Sequence, residues 1–402
     1  MNRAVQLFRF RRHASTITCA TVLAVLIAAA ALVPRAAHAQ TENQLYSFRN
    51  GPTDGQLPYA GVVRDSKGDV YGTTAYGGTY NHGTIFKISK HIRTLLYNFG
   101  RQPDGEAPLA GLVRDGAGNL YGTTSRGGRY GDGTVFKLTA AGKEVLLHSF
   151  AKSTVDGRFP VAGLIRDAKG NLYGATLAGG SANTGIVFKL DTAGKESILH
   201  TFTGGTVGGQ DGAAPNGGLI RDSAGNLYGT TVGGGPDNFG TVYKVDTAGN
   251  ETVLHAFTGA NIDGETPYGA LARDGAGNLY GTTQIGGTAN GGTIFKVDPA
   301  GNESVLFSFT QQAQGADPQS SLVRDAAGNL YGNTGLAGAY DEGVVFKFDP
   351  ATGVETVLHN FGNGHDGKAP IGTLTMDSAG RIYGATQQGG NANAGTVFVI
   401  VP

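Results

Sequence analysis

The sequence predicts an all-β fold, a seven-bladed β-propeller with four antiparallel strands in each blade. Three observations lead to this prediction: a repeated unit, the strand-like runs within each unit, and an offset between the two chain ends. Each unit contains one Tyr-Gly pair, and consecutive pairs lie 50 to 55 residues apart, a period that indicates a repeat architecture. The seven tyrosines are Tyr71, Tyr121, Tyr173, Tyr228, Tyr280, Tyr331 and Tyr383.

Every unit offers four runs suited to short strands, as the fourth unit illustrates. Residues 217–221, 227–231, 241–245 and 251–257 are rich in apolar, β-branched or aromatic residues, and turns with Gly, Asn and Asp separate them. Such runs predict antiparallel hairpins, and none has the apolar period of a helix. Sheets closed into a ring keep only short, protected edges. A linear β-solenoid is the main alternative, but its coils are usually shorter and it needs capping ends.

The two ends of the chain are out of phase with the units. Residues 44–48 match the fourth run of the other units, whereas the last unit stops after its third run, 396–400. Ring closure explains this offset, because the N-terminal strand can complete the last blade. A linear solenoid would not require such an offset between the chain ends.

The first 39 residues have the features of a secretory signal peptide. Four arginines precede an almost wholly apolar run over 17–33, and Ala37 and Ala39 provide small residues before a cleavage site. We therefore predict a signal peptide over 1–39, one propeller domain over 40–402, and a secreted or periplasmic protein. An uncleaved membrane anchor is the alternative, although an apolar run of about 17 residues is short for a span.

Composition argues against several partners and chemistries. The chain has 31 basic and 31 acidic side chains, and without the five arginines of the predicted signal peptide the balance is 26 minus 31, or −5. A mildly acidic chain without basic clusters is unsuited to nucleic acid or to an anionic membrane, and we expect neither as a partner. The only cysteine, Cys19, lies in the predicted signal peptide, which leaves no disulfide and no thiolate nucleophile. We expect a monomer.

The order of motifs within the units resembles a known repeat. Gly-Asn-Leu-Tyr-Gly-Thr-Thr is followed by Gly-Gly, Gly-Thr-Val-Phe-Lys, Leu-His-Ser-Phe and Asp-Gly-x-x-Pro. This order is similar to the GloVer (Gloeo/Verruco) tandem repeat, and the similarity covers residues 44–402. The resemblance implies an exported bacterial protein, often with a C-terminal surface anchor, and no established activity. Because Pro402 directly follows a predicted strand, we expect no such anchor here.

Six aspartates recur before a glycine near the start of the units. If their loop entered the innermost strand, the carboxylates could line the mouth of a central channel and hold a cation. We favour a structural role, the capping of an Asp-Gly-x-x-Pro turn, because carboxylates spread around a large ring rarely share one ion. The aspartates are Asp54, Asp104, Asp156, Asp211, Asp263 and Asp366, and the sixth unit has Gln314 instead.

An Arg-Asp pair recurs at the first turn of six units. A ring of arginines could bind an anion. We instead expect each Arg to pair with an acid of the neighbouring blade and each Asp to accept N–H groups of its turn. The pairs begin at Arg64, Arg114, Arg166, Arg221, Arg273 and Arg324.

Four histidines occupy one position in the fourth run, where the other three units have Tyr or Phe. Because Tyr or Phe can replace the histidine, we interpret the position as a packing site. We therefore predict no metal site, and no cofactor, in this chain. The histidines are His148, His200, His255 and His359, and the other residues are Tyr46, Tyr97 and Phe307.

The loops between the second and third strands vary while their frame is constant. Loops on a rigid scaffold commonly carry function, and in a propeller these share one face, the loop face, with the connections between blades. Aromatic residues there could stack on sugar rings, with charged residues as polar partners. Drift in solvated loops would also produce such variation. The predicted ligand-binding residues are Tyr76, Tyr80, His82, Arg126, Arg129, Tyr130, Asp132, Asp237, Phe239, Tyr340, Asp341 and Glu342.

The sequence lacks the familiar catalytic signatures. It has no Gly-x-Ser-x-Gly elbow, no His-Glu-x-x-His, no P-loop and no dinucleotide fingerprint. We predict no catalytic residues and favour a binding module for a glycan or a protein. One alternative is a polysaccharide hydrolase or lyase that uses Asp132 and Glu342, whose separation the sequence does not give. Another is a structural scaffold in the cell envelope.

Overall fold

The computed structural model describes residues 41–151, 153, 155–204, 211–259 and 263–401. The span from Thr41 to Pro402 forms one compact unit. The predicted signal peptide lies outside the described residues. In the described part of the chain, no helix is long and apolar enough to cross a membrane.

Seven antiparallel sheets follow one another along the described chain, which confirms the predicted seven-bladed propeller. Within each blade the strands are ordered first, second, third, fourth from the axis outward, and in blade four the connection from blade three adds a fifth strand. The first strands are Val63–Arg64, Val113–Arg114, Ile165–Arg166, Ile220–Arg221, Ala272–Arg273, Val323–Arg324 and Thr375–Met376. The second strands are Val70–Thr74, Leu120–Thr124, Leu172–Thr176, Leu227–Gly234, Leu279–Thr283, Leu330–Thr334 and Ile382–Thr386.

The third and fourth strands complete the blades. The third strands are Thr84–Ser89, Thr134–Leu138, Ile186–Leu190, Thr241–Val245, Thr293–Val297, Val344–Asp349 and Thr396–Val401. The fourth strands of blades one to six are Ile92–Asn98, Glu144–Ser149, Glu196–Thr201, Glu251–Ala256, Glu303–Ser308 and Val354–Asn360, and Thr41–Ser47 is that of blade seven.

Short ladders on the loop face join each connection between blades to the loop that follows the second strand. Two-residue pairs occur in blades one, two, three, five and seven. They are Gly55–Gln56 with Tyr76–Gly77, Gly105–Glu106 with Arg126–Gly127, Gly157–Arg158 with Ala178–Gly179, Gly264–Glu265 with Ile285–Gly286, and Gly367–Lys368 with Gln388–Gly389. In blade four, Gly212–Pro215 pairs with the long second strand.

The N-terminal strand closes the ring, as predicted. It pairs antiparallel with the last strand of the chain, from Thr41 opposite Val401 to Ser47 opposite Thr396. The first strand to be made therefore completes the last blade, which explains the offset between the chain ends.

Pairs of aromatic rings hold neighbouring blades together. The Phe after each fourth strand packs at a steep angle against a third-strand aromatic ring of the next blade, with centroids 5.0–5.3 Å apart. Burial of each such side chain favours folding by about 1.5–3 kcal/mol. The pairs are Phe48–Phe86, Phe99–Phe136, Phe150–Phe188, Phe202–Tyr243, Phe257–Phe295, Phe309–Phe346 and Phe361–Phe398.

The glycine of each Tyr-Gly pair makes room for one of these rings. In blade five, a Cβ on Gly281 would lie 2.5 Å from Cζ of Phe295. Across the seven blades, the corresponding distance to the Phe ring or the Tyr243 hydroxyl is 2.4–2.6 Å. The packing of the blades therefore requires glycine at this position.

The opposite side of the propeller, the turn face, is built by the repeated Arg-Asp pairs. Asp115 accepts the backbone N–H of Asn119 at 2.9 Å and so fixes the first turn of blade two. The guanidinium of Arg114 lies over the ring of Tyr71 in blade one and 3.9 Å from the carboxylate of Asp65. The turn-capping role of the aspartate is confirmed, whereas the predicted ion pair to the neighbouring blade is found for Arg64 and Arg114, and Arg166, Arg221 and Arg273 lie over a tyrosine ring of that blade instead.

Candidate functional site

The recurrent aspartates cap the connections between blades, as expected. Asp156 accepts the N–H of Gly157 on one oxygen at 2.7 Å and that of Ala151 on the other at 2.8 Å. The first strands of the seven blades surround an axial cavity of about 410 Å³. Among the described residues that line it, none is one of the six aspartates. The turn-capping interpretation is therefore confirmed.

The repeated histidines pack as expected and also face two carboxylates. The ring of His148 lies edge-on against Phe150, with centroids 4.6 Å apart. Its Nε2 is 3.5 Å from Asp156 Oδ1 and 3.8 Å from Glu196 Oε1, and Glu196 belongs to the next blade. The ring therefore packs as predicted, but the site also holds two carboxylates, and sequence analysis missed the glutamate because it lies in a different unit.

Seven residues at the loop-face end of the axial cavity vary between blades, and only tyrosine occurs twice among them. Each directly follows the proline of the connection and is half-buried. The scaffold does not dictate their identity, although it fixes the backbone around them. They are Tyr59, Leu109, Val161, Asn216, Tyr268, Gln319 and Ile371.

A second cavity, of about 360 Å³, opens on the loop face between blades five and six. We call it the blade-six cavity. Amide and carboxylate groups share its lining with apolar surface, a composition typical of small-molecule sites. The side chains used below are Gln284, Asn290, Gln311, Asp317, Leu336 and Asp341.

Unit six departs from the repeat at this cavity. The usual two-residue ladder is replaced by a single bridge between Ala316 and Leu336. Ala337 has a φ of 60° at a position that is glycine in the other six units, an unfavourable conformation for a residue with a Cβ. Asp317 takes a position that Leu, Ala, Phe or Thr fills elsewhere. The departures therefore concentrate where the cavity is.

Asp317 is a half-buried carboxylate, and one of its oxygens has no partner in the described chain. Its Oδ2 accepts a hydrogen bond from Nε2 of Gln319 at 2.9 Å. Its Oδ1 is buried and has no hydrogen-bond partner among the described residues. Burial raises the pKa of Asp317, although the nearby amides of Gln319 and Gln284 oppose the shift. A buried acceptor without a partner costs about 1–3 kcal/mol.

The predicted residues of the blade-one loop form one small group. Tyr76 is half-buried in the short ladder, whereas Tyr80 is 46% exposed. The ring centroids of Tyr80 and His82 are 6.3 Å apart, and the guanidinium of Arg101 lies 5.4 Å from the centre of the Tyr80 ring. Nδ1 of His82 is 2.5 Å from the carbonyl oxygen of Gly100.

In the blade-two loop, three predicted residues are exposed and one is not. Arg126, Arg129 and Tyr130 are exposed, Tyr130 to 58%. Asp132 is buried, and its carboxylate is 2.8 Å from Nε of Arg158. This aspartate therefore already has a cationic partner within the fold.

The loops of blades four and six carry the other predicted residues. Asp237 is exposed, and Phe239 packs on the core beside blade four. Tyr340 is 49% exposed, and its neighbour Asp341 lines the blade-six cavity. Glu342 forms an ion pair with Lys368 of the following connection. Asp341 is thus the only predicted residue among the described lining of that cavity.

Sequence analysis missed the other residues that line the blade-six cavity. A signal was available in the sixth unit, where Gln314-Gly-Ala-Asp-Pro replaces the usual Asp-Gly-x-x-Pro. The sequence shows that Gln314 replaces the usual Asp. It also shows a carboxylate three residues later, Asp317, but it does not show that this residue lines a cavity.

The described chain is thus a ring-closed repeat propeller with cavities along its axis and on its loop face. The chain belongs to the Gloeobacter/Verrucomicrobia repeat family, whose model matches residues 33–210 and 205–398. This finding confirms the resemblance noted in the sequence. No curated protein matches the chain.

Solved structures with a similar fold are distant in sequence. The extracellular domain assigned to a hybrid two-component system of B. thetaiotaomicron is 18% identical, with a TM-score of 0.59 over 90% of this chain and 41% of that one. The extracellular domain assigned to a one-component system of the same organism is 10% identical, with a TM-score of 0.55 over 88% and 40%. The present chain therefore spans about two fifths of those chains.

An oligogalacturonate lyase of Vibrio parahaemolyticus is 11% identical, with a TM-score of 0.51 over 91% of this chain and 95% of the lyase. At these identities the similarity concerns the fold. The activity of the present protein must be argued from its own residues.

Proposed function

We propose that the protein is an exported, non-catalytic binding module that holds a carbohydrate in the blade-six cavity. The observation that carries the proposal is the buried Oδ1 of Asp317, which has no partner among the described residues and belongs to a side chain lining an open cavity. A sugar hydroxyl in the cavity can donate to the carboxylate of Asp317 and accept from a neighbouring amide. Gln284 and Asn290 supply such amides in the lining.

Size and surroundings also favour a sugar. A cavity of about 360 Å³ suits one or two sugar rings rather than a protein segment. Leu336, 53% exposed, offers apolar surface for a ring face, and the half-exposed Tyr340 precedes the lining residue Asp341. Export is supported by the signal-like N-terminus and by the extracellular domains that share the fold.

The absence of catalysis is part of the proposal. Two acids could serve a polysaccharide-acting enzyme, and each forms an ion pair within the protein. Asp132 pairs with Arg158, and Glu342 pairs with Lys368. An acid held in an ion pair is poorly placed to exchange protons with a substrate.

The test is calorimetric titration of the purified protein with mono-, di- and oligosaccharides, for the wild type and Asp317→Ala. We expect one sugar class to bind and the variant to weaken binding at least tenfold, about 1.4 kcal/mol. Thr266→Ala changes the equivalent position of blade five and should leave binding unchanged.

Three results would contradict the proposal. The first is that no sugar binds, and the second is equal affinity for wild type and Asp317→Ala. The third is loss of binding in Tyr130→Ala alone, which would move the site to the blade-two loop. Sugar cleavage that disappears in Asp317→Asn would instead identify a polysaccharide-acting enzyme.

A further inference from the structure

Four contacts between neighbouring blades bring together one histidine, one aspartate and one glutamate, away from both cavities. The histidine and aspartate come from one blade and its outgoing connection, and the glutamate comes from the fourth strand of the next blade. Within each set the candidate ligand atoms lie within 4.8 Å of one another. The sets are His148–Asp156–Glu196, His200–Asp211–Glu251, His255–Asp263–Glu303 and His359–Asp366–Glu42.

A fifth contact, between blades seven and one, carries a built-in cation instead. Tyr46 replaces the histidine and Arg93 replaces the glutamate. The Arg93 guanidinium is 3.1 Å from the Asp54 carboxylate and 3.3 Å from the Tyr46 hydroxyl. At this contact, which lacks both the imidazole and the second carboxylate, the Arg93 guanidinium supplies the positive charge.

The two remaining contacts lack the histidine, although the first keeps both acids, Asp104 and Glu144, and the second keeps Glu355. Where Phe307 replaces the histidine, Gln314 replaces the aspartate. In the other contact, Tyr97 donates its hydroxyl to Asp104 at 2.8 Å, so the aspartate is already paired. In the described chain, histidine in this position thus occurs only where both acids are present.

The spacing in three of the sets is longer than a good hydrogen bond. Nε2 of the histidine is 3.5, 3.4 and 3.7 Å from Oδ1 of Asp156, Asp211 and Asp263, respectively. A tetrahedral site with bonds of about 2.1 Å has edges of about 3.4 Å, close to these values. In the fourth set His359 and Asp366 are 2.8 Å apart, a hydrogen bond that an ion would have to open.

The glutamates in these contacts each have one oxygen without a partner in the described part of the protein. In all four sets Oε1 of the glutamate is buried and has no hydrogen-bond partner among the described residues, as is also true of Glu355, whose contact lacks the histidine and the aspartate; only the four sets add an imidazole and a second carboxylate. A dication placed among two carboxylates and a neutral imidazole would balance the charge. The residues are Glu42, Glu196, Glu251 and Glu303.

The surroundings hold the potential ligands in place. Backbone N–H groups bind both oxygens of Asp156, and the ring of His148 is packed on Phe150. Outer contacts of this kind orient the ligands of metal sites.

We propose that each of these four His–Asp–Glu sets binds one divalent transition-metal ion, such as Zn²⁺, and so joins neighbouring blades. One imidazole nitrogen and two carboxylate oxygens suit Zn²⁺, with water as a fourth ligand. These metal sites are separate from the sugar cavity, and the metal proposal does not depend on the proposed function.

The experiment is equilibrium dialysis of the chelator-treated protein against Zn²⁺, followed by Co²⁺ substitution and visible spectroscopy. We expect four ions per chain, a rise in melting temperature with Zn²⁺, and tetrahedral Co²⁺ absorption bands. Glu196→Gln should reduce the stoichiometry from four to three. His148→Tyr should do the same and fold, since Tyr occupies that position in two other blade contacts.

Matched controls are present in the same chain. Glu355→Gln changes the equivalent glutamate where Phe307 and Gln314 replace the other ligands, and it should leave four ions bound. The proposal is overturned if the protein binds no more Zn²⁺ than a variant with all four glutamates changed to Gln. It is also overturned if Glu196→Gln and Glu355→Gln have the same stoichiometry.

Discussion

The turn face and the blade-six part of the loop face follow the repeat to different degrees. On the turn face, Asp274 caps its turn and Arg273 lies over the Tyr228 ring of the neighbouring blade, as the corresponding residues do in other blades. At the blade-six cavity, Asp317 and Ala337 break the repeat and leave an acceptor without a described partner. We infer from this difference that residues shared by all units stabilise the ring, whereas residues that depart from the repeat are available to bind a ligand.

The largest effect is expected from a residue shared by all units. Gly281→Val would place Cβ 2.5 Å from the Phe295 ring in the contact between blades four and five. Because this rigid contact cannot open locally, we expect a loss of about 3 kcal/mol or more, or no folded protein. Denaturant unfolding and the yield of soluble protein measure the effect.

A control lies in the same blade. A Cβ on Gly275 has nothing within 4 Å, and other units have Ala there. Gly275→Ala should therefore unfold like the wild type. Equal stability of the two glycine variants would show that the packing of the blades does not depend on the Tyr-Gly pair.

The next largest effect concerns the turn face. Asp274 accepts hydrogen bonds from Asn278 N–H at 2.9 Å, from its side-chain amide at 2.8 Å, and from the Tyr280 hydroxyl at 3.2 Å. Asp274→Ala leaves these donors unpaired and should cost about 2 kcal/mol in urea unfolding. Asp298→Ala removes a similar set from an exposed outer turn and should cost less, because water replaces the aspartate. A larger loss at Asp298 would contradict this ranking.

The sequence predicted this repeated part well and the remainder poorly, for a physical reason. Seven blades, closure by 44–48 and the role of Arg114 could be predicted because each follows from a pattern that recurs along the chain. Glu196 could not be assigned, because its partner His148 lies 48 residues earlier and the two meet only across a blade contact. Exposure in the loops also escaped prediction, since Asp132 looked available but is buried against Arg158.

A smaller effect, visible only as a pH dependence, is expected at Glu355. Burial raises the pKa of Glu355 from 4.5 to about 7, so the folded protein holds a proton there that the unfolded chain releases. The stabilising contribution is complete below pH 4.5 and is lost as the pH rises through 7. Glu355→Gln should therefore gain about 1 kcal/mol relative to wild type at pH 8 and nothing at pH 4.

Urea unfolding of both proteins at pH 4, 6 and 8 gives this difference directly. The comparison between the two proteins cancels the titration of the other acids. A difference that is the same at pH 4 and pH 8 would rule out the buried carboxylate as its cause.

The smallest effect on stability is expected where the effect on binding is largest. Ala occupies the position of Asp317 in units two, four and seven, at Ala107, Ala214 and Ala369, with φ values of 51–55° close to the 61° of Asp317. Asp317→Ala therefore restores a residue that the backbone accepts and removes the unmatched Oδ1. We expect the free energy of unfolding to stay within about 1 kcal/mol of wild type, or to rise, while sugar binding is lost.

Unfolding and sugar titration on the same preparation test this opposition between stability and binding. A marked loss of stability together with binding would place Asp317 in the scaffold, beside the repeated aspartates. Lost binding together with unchanged or higher stability would distinguish Asp317 from the repeated aspartates. The fold would then not need this carboxylate, and its role would be to bind the ligand.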